Sequence, residues 1–397
     1  MDSPLYHKHS DQTSDHGSGN LNPLRIVDSS QFWAVIIGID GYPTPQDILH
    51  SCVRDATNVF EYLTINMGVP EDHVKLLLSP QPSNVSSILL PIRAHIIDTL
   101  LSLSTNPRIH YGDNIVIYYA GHGAVYHCKT HPAFASLGKT GTIEALCPMD
   151  RNTTKANDGN CKPIPDISDR EIYTILDEIR RTKGHHITVI LDCCHSSSQT
   201  RVPGGSIQGR REVRPLPGRT SIADMFAVAD KKLGELKTGN GYPRYQSISG
   251  ADWVPEIPVT SHVILAACKA FEYATELRDD PGRSGGVFTV ALLSSLKSVI
   301  DKPAGLNGKL PTYRELVKSL PANNYGQHPV VAGECMNNPL WYTVWLALSG
   351  GGEGGNDSGN EMRCKLVVLT NTESLLAATL TKRFVCKRLI RRRSFDL

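Results

Sequence analysis

No run in this 397-residue sequence approaches the roughly 18 apolar residues that a membrane span requires. The first twenty residues, MDSPLYHKHSDQTSDHGSGN, hold no apolar core of the kind a secretory signal uses. A membrane protein is therefore not expected, and a soluble one, cytoplasmic with the nucleus as the alternative, is. Cys-x-x-Cys pairs are missing too. The ten cysteines, at 52, 128, 147, 161, 193, 194, 268, 335, 364 and 386, are scattered, which argues against a disulfide scaffold and leaves reduced thiols that mostly pack. The stretch GKTGT lacks the strand and helix that would frame a phosphate-binding loop. Charge of one sign is scarce: 41 Lys and Arg stand against 39 Asp and Glu, a net +2. Residues 361 to 397 carry nine of the cations and three of the acids, +6 in all. Such a tail can touch nucleic acid or anionic lipid, but behind the linker GGEGGNDSGN it reads as a terminal extension, and neither partner is expected.

What is present is a regular alternation. The apolar run FWAVIIGID (32 to 40) predicts a strand buried on both faces. SCVRDATNVFEYLTINMG predicts a helix stopping at Gly68, and HVKLLLS a second strand. NVSSILLPIRAHIIDTLLSL predicts a long helix kinked at Pro91. DNIVIYYAGHG predicts a third strand, SDREIYTILDEIRRTKG a helix capped by Ser168 and stopped at Gly184, and HITVILDCCHS a fourth strand. Residues 201 to 260, rich in Pro, Gly and Arg, show little periodicity and read as a long insertion. SHVILAAC, the helix SGGVFTVALLSSLKSVI, the short helix TYRELVKSL and a last strand WYTVWLAL complete the pattern. Strand–helix alternation of this kind builds a mostly parallel sheet between helix layers, with ligands at the carboxyl ends of the strands.

Two of those ends hold reactive side chains: Gly121-His122-Gly123 after the third strand, and Asp192-Cys193-Cys194-His195 after the fourth. A cysteine and a histidine at neighbouring strand ends can meet although 194 − 122 = 72 positions separate them. That pairing suits a thiol nucleophile with an imidazole base. A metal or redox site is the weaker alternative, since adjacent cysteines suit a tetrahedral ion poorly and no second pair completes four ligands.

YYAGHG and VILDCCHSS resemble the histidine and cysteine motifs of caspase-like cysteine peptidases, specifically metacaspases. WAVIIGID, HSCVRDATNVFEYL, GVPEDHVKLL, CPMDRNT, IPDISDREI, HVILAACKAFEYATE and GGVFTVALL resemble further segments of that family, so the likeness runs from about residue 32 to 348. The Q-A-C-x-G signature of animal caspases is missing. The resemblance implies a caspase-like three-layer α-β-α sandwich around a mostly parallel six-stranded sheet. It divides the chain into an N-terminal segment (1–29), a peptidase domain (30–348, with large-subunit region 30–200, linker loop 201–260 and small-subunit region 261–348) and a Gly-rich linker with a basic tail (349–397).

The resemblance further makes Cys194 the nucleophile and His122 the base, with Cys193 a packing residue and His195 structural. The amides of Gly123 and Cys194 are the expected oxyanion donors. Asp55 and Asp192 are the expected walls of a pocket that selects Arg or Lys before the scissile bond, so protein or peptide substrates basic at that position are the expected partners of a monomeric enzyme. Metacaspases often bind calcium through a cluster of aspartates. Asp150 and Asp169 match two of its members, but Arg170 and Arg201 stand near where others belong, and a calcium ion needs six to eight oxygens. No cofactor is therefore expected to be required, with calcium as the alternative. Arg201, Arg210, Arg211, Arg214 and Arg219 make the 201–260 loop a candidate for self-processing. The rival reading is a caspase-fold regulator in cell-death or stress signalling with little catalysis.

Overall fold

The computed structural model describes residues 28–80, 89–128, 142–154, 162–194, 210–216, 221–236, 261–269, 272–277, 285–301 and 311–341, all within one compact unit, Val27–Thr343. Its centre is a six-stranded sheet. In chain order the strands are β1 (Phe32–Ile39), β2 (Val74–Ser79), β3 (Asn114–Ala120), β7 (Ile187–Asp192), β8 (Val263–Ala266) and β11 (Val330–Ala332), and in space they run β11-β8-β7-β3-β1-β2. Every pair is parallel except β11 on β8. All residues of β1 and β3 are buried. Their continuous apolar sequences are what a sheet covered on both faces demands.

Side-chain alternation assigns the two helix layers. Ile117 and Val189 line a cavity together with Ile96 and Leu100 of α2 (Arg93–Thr105) and Ile175 and Leu176 of α3 (Asp169–Lys183). Their strand neighbours face the other way: the Tyr118 hydroxyl meets Thr289 of α5 (Val287–Asp301) at 2.7 Å, and Thr188 meets Tyr313 of α6 (Tyr313–Lys318) at 2.9 Å. The helix α1 (Cys52–Glu61) shares that second face and packs on β1 and α5, burying Cys52, Asp55, Ala56 and Val59 at helical spacing. The α/β three-layer sandwich with its mostly parallel six-stranded sheet is therefore the architecture of the chain. The Ser168 hydroxyl caps α3 by accepting the Glu171 amide at 3.2 Å, and α3 ends at Gly184.

Four features differ from expectation. Helix α2 starts at Arg93, so Pro91 precedes it: proline lacks the amide and holds its predecessor extended, and Leu89 instead bridges Leu77 of β2. The region 201–260, read as aperiodic, contains α4 (Ser221–Leu233), which buries Ile222, Met225, Phe226, Ala229 and Leu233. The sheet's last strand is β11, in the sequence VVA; of the expected strand WYTVWLAL, residues 342 to 348 lie outside the described residues. Finally, after Gly-His-Gly the chain turns into a second, antiparallel sheet of β4 (Gly123–His127), β5 (Thr142–Leu146) and β6 (Ile167–Ser168), and β9 (Glu276–Leu277) pairs with β10 (Gly285–Gly286).

Candidate active site

Strands β3 and β7 are in register, with Ala120 opposite Asp192. His122 and Cys194 each stand two residues beyond that pair, so both leave the sheet at the same level. The His122 backbone is held by two tyrosines: its amide donates to the Tyr42 hydroxyl at 2.9 Å, and its carbonyl accepts from the Tyr119 hydroxyl at 2.7 Å. Gly121 makes room for them, since a Cβ there would stand 2.8 Å from both hydroxyls. The space at Gly121 serves the two tyrosine hydroxyls.

The imidazole itself is fixed. His122 Nε2 lies 2.7 Å from the Asp47 carbonyl oxygen. A carbonyl can only accept, so Nε2 carries the proton and Nδ1 holds the lone pair. Nδ1 is buried and without a hydrogen-bond partner among the described residues, and the Arg211 backbone is among the groups acting on the ring. Burial pushes the imidazole down to about 4, against the Asp47 carbonyl, so it is neutral at physiological pH. The Cys194 thiol is fully buried, accepts from the Ala274 amide at 2.9 Å and lies 3.5 Å from the Ala274 carbonyl. Burial raises its pKa well above the usual thiol range. The two side chains are thus a neutral pair, each held by a different backbone group rather than hydrogen-bonded to each other.

The amides named as oxyanion donors converge on one atom. Gly123 N and Cys194 N both donate to the Arg211 carbonyl oxygen at 3.1 Å. The segment around it pairs on both sides. The Arg211 amide donates to the Ala274 carbonyl at 3.1 Å and Arg210 bridges Thr275 antiparallel, while Glu212 bridges Gly123 and the Val213 amide donates to the Gly123 carbonyl at 3.1 Å. Further along, the Arg151 guanidinium donates to the Arg214 carbonyl at 3.2 Å, and the Leu216 amide donates to the Tyr126 hydroxyl at 3.2 Å. Tyr126 and Arg151 are themselves fixed by buried Asp166 at 2.7 Å each.

The Arg211 side chain, wholly buried, runs into a pocket on the α1 and α5 face of the sheet. Its Nη1 pairs with Asp192 Oδ2 at 2.8 Å, and its Nη2 with Asp55 Oδ2, with Ser51 Oγ at 2.9 Å and with Glu276 Oε1 at 3.7 Å. Asp55 sits in the first turn of α1 and Asp192 at the end of β7. The Gly286 amide donates to Asp55 at 2.8 Å, and Thr289 Oγ1 donates to Asp192 at 2.6 Å. Burial pushes Asp55 up to about 6, opposed by the Arg211 cation and reinforced by Asp192. Glu276 is lowered: burial is outweighed by Arg211 and by bonds from Ser51 and the His50 amide. A buried guanidinium is tolerable here because both of its terminal nitrogens meet carboxylates, although Nε finds no hydrogen-bond partner among the described residues.

Several of these residues escape sequence reading. Glu276 is an isolated acid in a segment without periodicity, and Ser51 reads as a helix cap. The pair Gly285-Gly286 reads as a helix opening, yet it forms the pocket wall: a Cβ at Gly286 would stand 2.7 Å from Arg211 Nη1. Asp47 contributes only a carbonyl, which no side-chain motif announces. Cys193 is buried beside Cys268, whose Sγ lies 4.0 Å from the Cys193 carbonyl, and His195, Arg201 and Arg219 lie outside the described residues.

Asp150 and Asp169, the two members of the expected calcium cluster, each accept a backbone amide at the start of a helix. Asp150 Oδ1 accepts the Arg93 amide at 2.8 Å and starts α2. Asp169 bonds the Arg170 amide at 2.7 Å, and burial together with nearby Glu144 pushes it up to about 7. The Arg170 guanidinium lies 5.7 Å over Phe226, filling the neighbourhood with a cation. Asp40, Cys52 and Glu276 form the one metal-compatible cluster among the described residues, and both carboxylates there accept backbone amides at the start of α1.

The family model described as "Metacaspase, peptidase C14 domain" matches residues 33–203. Metacaspase-4 of Arabidopsis thaliana is 27% identical over 163 residues, 41% of this chain and 33% of that protein. Metacaspase-1 of Saccharomyces cerevisiae is 26% identical over 170 residues, 43% of this chain and 34% of that protein. The matched stretch thus spans about a third of either relative's length. A solved structure of caspase-1 from Spodoptera frugiperda overlays with a TM-score of 0.39 at 10% identity, covering 77% of this chain and 87% of that one. That overlay is loose, and the fold assignment rests on the sheet order itself.

Proposed function

We propose that this chain, whose residues 33–203 match the metacaspase peptidase C14 domain model, is a cysteine-type endopeptidase that cleaves after Arg or Lys and processes itself between Arg211 and Glu212. One observation carries the proposal. Arg211 has its carbonyl oxygen on two amides beside the thiol and its guanidinium between Asp55 and Asp192, the posture of a residue about to be cut.

In the reaction, Cys194 Sγ attacks the carbonyl carbon of the basic residue and gives up its proton to His122 Nδ1. The amides of Gly123 and Cys194 stabilise the charge that develops on the oxygen. The bond to the next residue breaks as His122 returns the proton to the departing amine, leaving a thioester on Cys194. Water, deprotonated by the same nitrogen, then adds to the thioester and releases the carboxylate and the thiol. Before this the thiol must leave Ala274, because the neutral, doubly held Cys194 is a resting arrangement. The Asp47 carbonyl stabilises the imidazolium formed in between. Neither step uses a metal, and we propose that activity is independent of calcium.

Mass spectrometry of purified wild type and Cys194→Ala tests the assignment. A cut between Arg211 and Glu212 in wild type alone is expected; identical fragments from both chains, or an intact wild type that also fails to hydrolyse arginyl peptides, would sink it.

A further inference from the structure

Resting on the peptidase reading above, we propose that the residue before the scissile arginine is also recognised, and that Tyr273 is a cation platform making the enzyme selective for a dibasic Arg-Arg pair. The guanidinium carbon of Arg210 lies 4.0 Å from the centroid of the Tyr273 ring, well inside the range of about 6 Å over which a ring face attracts a cation. Both residues are half-buried, so the cation is not fully hydrated where it meets the ring. Among the described residues Arg210 forms no ion pair, in contrast to Arg211 with its three carboxylates. The ring is therefore the partner that sets its position.

The backbone makes this a property of the cleft rather than of one loop. Arg210 bridges Thr275, and the Arg211 amide donates to the Ala274 carbonyl, so any segment seated with its arginine in the pocket places the preceding side chain beside Tyr273. A flat π face selects a planar, delocalised cation over a compact ammonium and over neutral side chains, and its negative face disfavours a carboxylate. The expected order at that position is Arg, then Lys, then Ala, then Glu. The expected preference for Arg over Ala is roughly threefold to tenfold in kcat/KM.

The test compares fluorogenic acetyl-Gly-Xaa-Arg peptides, with Xaa Arg, Lys, Ala or Glu, on wild type, Tyr273→Phe and Tyr273→Ala. The Arg-over-Ala ratio in kcat/KM should appear in wild type, persist in Tyr273→Phe and fall to about one in Tyr273→Ala, whatever the absolute rate of each variant. Equal rates for Arg-Arg and Ala-Arg in wild type would overturn the platform and leave the peptidase reading standing. If no peptide is cut, the peptidase reading fails separately, and binding of the same two peptides to Cys194→Ala/Arg210→Ala/Arg211→Gln, which leaves both positions vacant, decides the platform: tighter binding of Arg-Arg supports it, equal binding overturns it.

Discussion

Removing the charge of Arg211 in a chain that cannot cut itself, Cys194→Ala/Arg211→Gln, isolates the work done by the acidic pocket. In Cys194→Ala the guanidinium is wholly buried against Asp55, Asp192 and Glu276. With glutamine there, the carboxylates remain and their cation is gone. Stripping one partner from a buried ion pair costs about 3–5 kcal/mol because the other charge is left uncompensated. A unit of about 300 residues unfolds with an entropy of about 0.6 kcal/mol/K, so the loss is about 5–8 °C in Tm. Asp55, already pushed to about 6, limits the damage by taking up a proton, so the drop should be smaller at pH 5 than at pH 8. An arginyl peptide at a hundred times its Kd should restore about 2.7 kcal/mol, and its citrulline counterpart should restore nothing. Differential scanning calorimetry at both pH values reads all of this. A Tm within 1 °C of Cys194→Ala, or equal rescue by the two peptides, would refute the assignment of these carboxylates to a cationic side chain.

Three further outcomes follow from the same geometry. As pH falls through about 6, Asp55 gains a proton and the pocket loses a negative charge, while His122, at about 4, stays neutral; the acid limb should therefore lie in KM with kcat flat, and a limb in kcat instead would contradict it. Because that carboxyl is raised in the folded chain, the same group adds stability as pH drops from about 6 to about 4 rather than removing it. Gly286→Ala should cut kcat/KM for arginyl peptides by on the order of a hundredfold, since its Cβ meets the Asp192 carboxylate first and then, at 2.7 Å, Arg211 Nη1; near-wild-type rates would show that the pocket wall yields. Peptide hydrolysis in excess chelator should match hydrolysis in millimolar calcium, because Asp150 and Asp169 accept the backbone amides of Arg93 and Arg170, and the Arg170 cation lies beside Asp169; restoration by calcium alone would overturn this.

The sheet was legible because buried parallel strands are continuous apolar runs, and β1, β3 and β7 are of that kind. Cys194, His122, Asp55 and Asp192 could be singled out because family motifs mark side chains. What escaped was contributed by backbone or by distant chain. The Asp47 carbonyl and the Ala274 peptide have no side-chain signature, and Glu276 reaches Ser51 from 225 positions away. Helix α4 was missed because the flanking Pro, Gly and Arg residues dominated the reading of 201–260, although Ile222, Met225, Phe226 and Ala229 recur at helical spacing. Arg211 was one of five arginines of the same apparent kind, and only the folded cleft distinguishes it.

The two-sided pairing of the Arg211 segment has a consequence for which proteins can be cut at all. On the proposed function, recognition would use the amide of the scissile residue, its carbonyl and the amide two places on, as Arg211 and Val213 display them to Ala274 and Gly123. A helix or a central sheet strand already spends those groups internally, and proline at either amide position has none to offer. Under that reading, susceptibility in a folded target would be governed by how readily it frees a short stretch of chain: a basic pair on a rigid helix would be invisible to this cleft, and the same pair would become a cleavage point once its surroundings unravel.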